Sequence, residues 1–216
     1  MHTSKNFLKI SLFATFMAFA LMVIGYLFWT RELQYITPTK KPHNYVEVKV
    51  MDKVNLEEAL GPANGKPFFI HYYNPYCPCA KFNYGYYEDL VKKQAGNFNM
   101  YMVMREMDSD VLDEIREKVN TNITILIDKG GEIARQTGVY STPQAVLVNE
   151  DYTMYYRGNY NRSVFCTQKD YNYAEMAIDS MLMDRPTPDF GYFATTSYGC
   201  SLTKEKEFYQ VLLDIY

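Results

Sequence analysis

Phe68-Phe69-Ile70-His71-Tyr72-Tyr73-Asn74-Pro75-Tyr76-Cys77-Pro78-Cys79 is an apolar, aromatic run that ends in a turn and a pair of cysteines. Apolar sequence without polar alternation reads as a strand buried on both faces of an α/β sheet, here Pro67–Tyr73. A helix is predicted to follow over Phe82–Gln94, weakened by Gly85 and its tyrosines. Two thiols at a strand-to-helix turn feel the positive end of the helix, which favours the thiolate that attacks disulfides. Pro78 between them has no N–H to offer either sulfur, stiffens the turn and suits a first helical position.

Working outward, strands alternate with helices. Asn55–Leu60 gives a short helical turn stopped by Gly61-Pro62. Phe98–Met104 is a second apolar strand, and Ser109–Val119 a helix with Val111, Leu112, Ile115 and Val119 at helical spacing. Ile123–Ile127 is a third strand, stopped by Asp128-Lys129-Gly130-Gly131, and Glu132–Thr137 a short helix. Thr142-Pro143 then enters the strand Ala145–Val148. A turn at Asn149-Glu150-Asp151 and the strand Thr153–Arg157 make a closing hairpin, and Tyr173–Met183 is the last core helix. The pattern argues for an α/β fold with a mixed central sheet flanked by helices. Beyond it, residues 185–216 form a C-terminal extension in which Lys204–Ile215 has helical character.

The N-terminus differs in kind. Ile10–Trp29 alone reaches the roughly 20 residues needed to span a bilayer. Lys5 and Lys9 precede it, and Tyr26 and Trp29 suit the far interface. No small-x-small cleavage site closes the run, so an uncleaved anchor over residues 1–30 is expected rather than a removed signal. Residues 31–44, with Pro38 and Pro42, read as a tether, and residues 45–184 as the folded domain. The orientation expected is single-pass in the inner (cytoplasmic) membrane, with the domain on the periplasmic side.

The formal charge of −3, without basic blocks, gives no electrostatic case for nucleic acid. Tyrosine is abundant, with 21 copies against a single Trp. The four cysteines, Cys77, Cys79, Cys166 and Cys200, suit an oxidising compartment. A Cys77–Cys79 bridge closes a tiny loop and stabilises little, whereas a Cys166–Cys200 bridge closes a longer one and reads as the structural disulfide that pins the extension.

These residues resemble the thioredoxin superfamily, and within it the membrane-anchored TlpA/ResA-like and redoxin-like branch. The likeness covers about Val46–Met183. It is carried by Tyr73-Asn74-Pro75-Tyr76-Cys77 after the first central strand, by Asp128 to Ala134, and most strongly by Gly138-Val139-Tyr140-Ser141-Thr142-Pro143-Gln144, followed by Tyr156-Arg157-Gly158. The resemblance implies a thioredoxin-like fold in which Pro143 is cis and faces the active-site cysteines. Here the family's Cys-x-x-Cys is shortened to Cys-x-Cys, whose disulfide ring is smaller and easier to reduce; the alternative is that the two do not pair and Cys77 works with a cysteine of the extension or of another protein.

The expected activity is that of a thiol–disulfide oxidoreductase acting on protein thiols or disulfides of the cell envelope. Cys77 is the expected nucleophile and Cys79 the resolving thiol. Thr142 and Pro143 align the sulfurs, and the Thr142 backbone is positioned to pair with an extended substrate. His71 lies where many thioredoxin-like proteins keep a buried acid, and is a candidate proton carrier. Tyr76 shapes the surface beside the nucleophile. A redoxin-type peroxidase is the enzymatic alternative, weakened by Asn74 where those proteins place threonine. A Cu(I)-binding metallochaperone is the other, since soft thiolates suit Cu(I), although no histidine or methionine cluster lies close. Met100, Met102 and Met104 read as core filler, zinc lacks ligands at familiar spacing, and no cofactor or resident metal is expected.

Overall fold

The computed structural model describes residues 2–31, 37–43, 45–119, 122–163 and 166–202. The predicted helix over Lys204–Ile215 lies outside them, as does part of the tether. The chain divides into two compact units, residues 1–37 and 38–216.

The first unit is a single helix, α1 (His2–Arg31). Its apolar stretch Phe7–Thr30 spans 24 residues, about 36 Å of helix, which is long and apolar enough to cross a bilayer.

In the second unit a five-stranded sheet is built from β1 (Phe68–Tyr72), β2 (Asn99–Met104), β3 (Ile123–Ile127), β5 (Gln144–Val148) and β6 (Met154–Gly158), in the order β3-β2-β1-β5-β6. β1, β2 and β3 are parallel, whereas β5 runs antiparallel to both β1 and β6. The helices are α2 (Glu57–Leu60), α3 (Pro78–Lys93), α4 (Ser109–Lys118), α5 (Glu132–Thr137), α6 (Tyr173–Leu182) and α7 (Tyr192–Thr195). This is a thioredoxin-like fold. A separate two-stranded ribbon joins β4 (Ser141–Thr142) to β7 (Cys200–Ser201), and neither strand is evident from the hydrophobic pattern.

β1 is central and buried along its whole length, which is why its sequence does not alternate. Phe68, Ile70 and Tyr72 face a core with Val54, Leu56, Leu60, Val139, Val146 and Val148. Phe69 and His71 face the other way, against Tyr87 of α3 and Tyr160 after β6. α3 starts earlier than its apolar pattern predicts. Cys77 is its extended N-cap and Pro78 its first residue, where a missing N–H costs nothing.

The described part of the C-terminal extension packs into this unit. Asn159, at the end of β6, donates its Nδ2–H groups to the carbonyls of Phe193 and Thr196 and its backbone N–H to Ala194. Tyr155 donates to the carbonyl of Arg185. Gly158 lets α7 approach, because a Cβ there would lie 2.2 Å from the Ala194 carbonyl oxygen. Gly158→Ala is therefore expected to lower stability by about 1–3 kcal/mol, the usual range for overpacking. Thermal unfolding measures it, and an unchanged midpoint would refute the close packing of α7 on β6.

Candidate functional site

The turn after β1 is set by Asn74. Its side-chain Oδ1 accepts the Tyr76 N–H at 2.9 Å, and its carbonyl accepts the Cys77 N–H at 3.0 Å. Such an Asx turn drops the chain into the helix with Cys77 at the N-cap. Tyr76 projects outward and is 56% exposed.

Cys77 is fully buried, and its partner lies in β7 of the C-terminal extension. Its sulfur is bonded to that of Cys200, 123 residues away, with the Cα atoms 5.9 Å apart, inside the ordinary range for a disulfide. The expected Cys166–Cys200 bridge is thereby corrected. β7 pairs antiparallel with β4, setting Cys200 opposite Thr142, while Cys166 meets Asn83 of α3 instead, whose Nδ2 donates to its sulfur at 3.0 Å. The Cys77–Cys79 pairing is also not what the structure contains: Cys79, within the first turn of α3 and 5% exposed, stands outside the disulfide.

Thr142 holds the arrangement together. Its Oγ1 donates to the Tyr72 carbonyl at 2.9 Å, tying β4 to the end of β1. Its own carbonyl oxygen lies 3.5 Å from the Cys77 sulfur. The Thr142–Pro143 peptide bond is cis.

β7 is held on both sides. Leu202 donates its N–H to the Tyr140 carbonyl, and Thr39 donates its Oγ1–H to the Gly199 carbonyl. Gln144 Nε2 donates to Ser197 Oγ at 2.7 Å. Gly199 permits the contact twice over: its φ of +112° suits glycine, and a Cβ would lie 2.3 Å from the Thr142 carbonyl oxygen. The sequence reading named Cys200, but as the partner of Cys166, and it missed Gly199, whose only signal was its place directly before that cysteine.

His71 is buried with aromatic company. It stacks on Tyr87 at 4.0 Å between ring centroids, and its Nδ1 shares a 2.7 Å hydrogen bond with the Tyr160 hydroxyl. Nε2 has no hydrogen-bond partner among the described residues. Burial depresses its pKa from 6.5 to about 3, so the ring is neutral near pH 7. These contacts give His71 a packing role; as a base it is weak. Cys166 is half-buried, and burial pushes its thiol pKa up, partly offset by the Asn83 hydrogen bond. Among the described residues no cluster of three or more His, Cys, Asp and Glu side chains could hold a metal ion.

Residues 47–201 match the family described as "Domain of unknown function (DUF6436)". The chain belongs to that family. Among curated proteins none matches. Two solved structures share the fold of this DUF6436 chain. An uncharacterized conserved protein from Geobacillus kaustophilus is 16% identical, with 78% of this chain and 100% of that one covered and a TM-score of 0.57. A hypothetical protein from Sinorhizobium meliloti is 16% identical, with 76% and 98% covered and a TM-score of 0.54. The pneumococcal exposed lipoprotein thioredoxin from Streptococcus pneumoniae is 15% identical, with 56% and 85% covered and a lower TM-score of 0.42.

Two outcomes are expected of this DUF6436 domain. Because His71 is neutral in the folded state and protonates near pH 6.5 when unfolded, its effect is nil above pH 6.5 and grows as pH falls toward 3. Between pH 6.5 and 5 this removes about 2 kcal/mol of stability. His71→Phe, which keeps an aromatic ring on Tyr87, flattens that slope, and denaturant unfolding at several pH values would expose an error if it does not. Gly199→Ala opposes the docking of β7 by about 1–3 kcal/mol. Its Cys77–Cys200 bond is therefore expected to be reduced by glutathione about 5- to 150-fold more readily, and an unchanged equilibrium would show that β7 tolerates the added carbon.

Proposed function

We propose that this chain is a thiol–disulfide oxidoreductase whose redox pair is Cys77 and Cys200, held at the cell envelope by the apolar N-terminal helix with the domain on the extracytoplasmic side. The observation that carries the reading is the disulfide at the N-terminus of α3, laid against the Thr142 carbonyl by a strand of the same chain. β7 holds Cys200 where an extended substrate would present its own cysteine, paired backbone to backbone with β4.

The chemistry is a two-step exchange. A substrate thiolate attacks one sulfur of the Cys77–Cys200 bond, forming a mixed disulfide at Cys77 and releasing the Cys200 thiolate. A second substrate thiolate then attacks that mixed disulfide. The substrate leaves as a disulfide, its two electrons remain on Cys77 and Cys200, and the protons from its thiols pass to the enzyme's sulfurs. In the reverse direction Cys77, favoured as thiolate by the N-terminal dipole of α3, attacks a substrate disulfide, and Cys200 resolves the intermediate. Thr142 positions the reacting sulfur through its carbonyl, and Tyr76 offers an exposed aromatic contact beside it. The substrate class is protein thiols or disulfides. A Cu(I) site made of Cys77 and Cys79 needs both as thiolates, which only the reduced chain offers.

The test is substrate trapping in the full chain. In a Cys79→Ser background, Cys200→Ser is expected to accumulate Cys77 mixed disulfides at least about tenfold over the Cys79→Ser variant, because nothing resolves them, and Cys79→Ser alone to accumulate few. Non-reducing electrophoresis and peptide mapping read the result. Trapping by Cys79→Ser alone would return the resolving role to Cys79.

A further inference from the structure

With Cys77 and Cys200 joined, two cysteines remain: Cys79 lies within α3, and Cys166 lies against Asn83 of the same helix. Cys79 and Asn83 are one helical turn apart on the buried side of α3, 5% and 2% exposed. Residues so spaced are neighbours, with Cβ atoms about 5–6 Å apart. Helical side chains lean toward the N-terminus, so Asn83 reaches back over the turn that carries Cys79. The sulfur of Cys166 sits at the end of that reach, 3.0 Å from Nδ2.

Two further details set this loop apart. Cys166 is held at a φ of +52°, an uncommon conformation for a residue other than glycine, in a turn closed by its N–H to the Ser163 carbonyl. The Oδ1 atom of Asn83 is buried with no hydrogen-bond partner among the described residues. An amide that bonds one sulfur and keeps an open acceptor fits a thiol pair better than a purely apolar contact.

We propose that Cys79 and Cys166 form a second redox-active pair, positioned by Asn83, that exchanges electrons with Cys77–Cys200 inside the chain. The proposal rests on the oxidoreductase reading for its partner pair. The Cys79 thiolate attacks the Cys77 sulfur, breaking the bond to Cys200, which leaves as thiolate and takes up the proton Cys79 lost. The Cys166 thiolate then attacks Cys79, forming Cys79–Cys166 and expelling the Cys77 thiolate, which takes the proton from Cys166. One disulfide is consumed and one formed, and two electrons pass from Cys79 and Cys166 to Cys77 and Cys200. The small Cys77–Cys79 ring is strained, which suits a transit state better than a resting one.

The test is thiol counting on the detergent-solubilised full chain. With excess oxidised glutathione, wild type is expected to hold no alkylatable thiol after denaturation, with Cys79 and Cys166 joined in the peptide map. Two persistent thiols, or glutathione carried on Cys166, would overturn the proposal. C77S/C200S is expected to form a reversible Cys79–Cys166 disulfide with its near-UV circular dichroism retained. If that variant does not fold, the wild-type count decides. In two-electron-oxidised wild type, acid-quenched maps are expected to contain both Cys77–Cys200 and Cys79–Cys166, and the first alone would refute the internal transfer. A Cys79–Cys166 pair that titrates beside an inert Cys77–Cys200 would sink the oxidoreductase reading of the main site instead.

Discussion

The contact between Gly199 and the Thr142 carbonyl is the constraint on which the site depends. β4 is only two residues long, yet Thr142 ties it to β1 through Oγ1, faces the Cys77 sulfur with its carbonyl and pairs with β7 through its backbone. A side chain at residue 199 opposes the pairing with β7, because a Cβ there would lie 2.3 Å from the Thr142 carbonyl oxygen. The hydrogen bonds of Thr39, Gln144 and Leu202 then fix the register that puts Cys200 opposite Thr142. The disulfide is thus the last link in a docked strand rather than a lone staple between distant loops.

The fold was legible because the strongest signals were local. An unbroken apolar run gave β1, helical spacing gave α4, and Thr-Pro before an apolar run marked the start of β5. Cys77 and Thr142 were legible for the same reason, since both sit next to strand ends. The partner of Cys77 was not. Disulfide connectivity cannot be deduced from sequence alone, and the argument from loop length that favoured Cys166–Cys200 counts denatured-state entropy but ignores which strands the native state brings together. β7 itself carries no periodicity. Two residues cannot show one, and the strand exists only through its pairing with β4.

The surplus of tyrosine has a physical account that composition could not supply. Tyr72, Tyr101, Tyr152, Tyr155 and Tyr156 each donate a hydroxyl to a backbone carbonyl, of Ile133, Leu60, Gly61, Arg185 and Asn159 respectively. Those carbonyls lie in short helices, loops and the extension, where no ladder satisfies them. A tyrosine fills core volume with its ring and caps such a carbonyl with its hydroxyl, so one residue meets both demands. Phenylalanine at these positions would keep the packing and remove those hydrogen bonds, leaving the Ile133 carbonyl with that of the Thr137 hydroxyl.

The docking of β7 and the redox state of Cys77 are linked, and the link runs in both directions. Every hydrogen bond that holds β7 against β4 raises the effective concentration of the Cys200 thiol at Cys77, and so favours the disulfide. Conversely, the disulfide closes a loop of 123 residues, which in the chain-entropy account stabilises the fold by on the order of 5 kcal/mol. Reduction removes that constraint but leaves the strand pairing and the Gln144–Ser197 contact in place. Loss of the covalent bond and departure of the strand are therefore separate events. In the proposed exchange a substrate supplies electrons for the first and backbone pairing for the second, and an extended polypeptide carrying a cysteine offers both. On that reading, the edge of β4 that makes the internal disulfide favourable is also the edge that selects what replaces it.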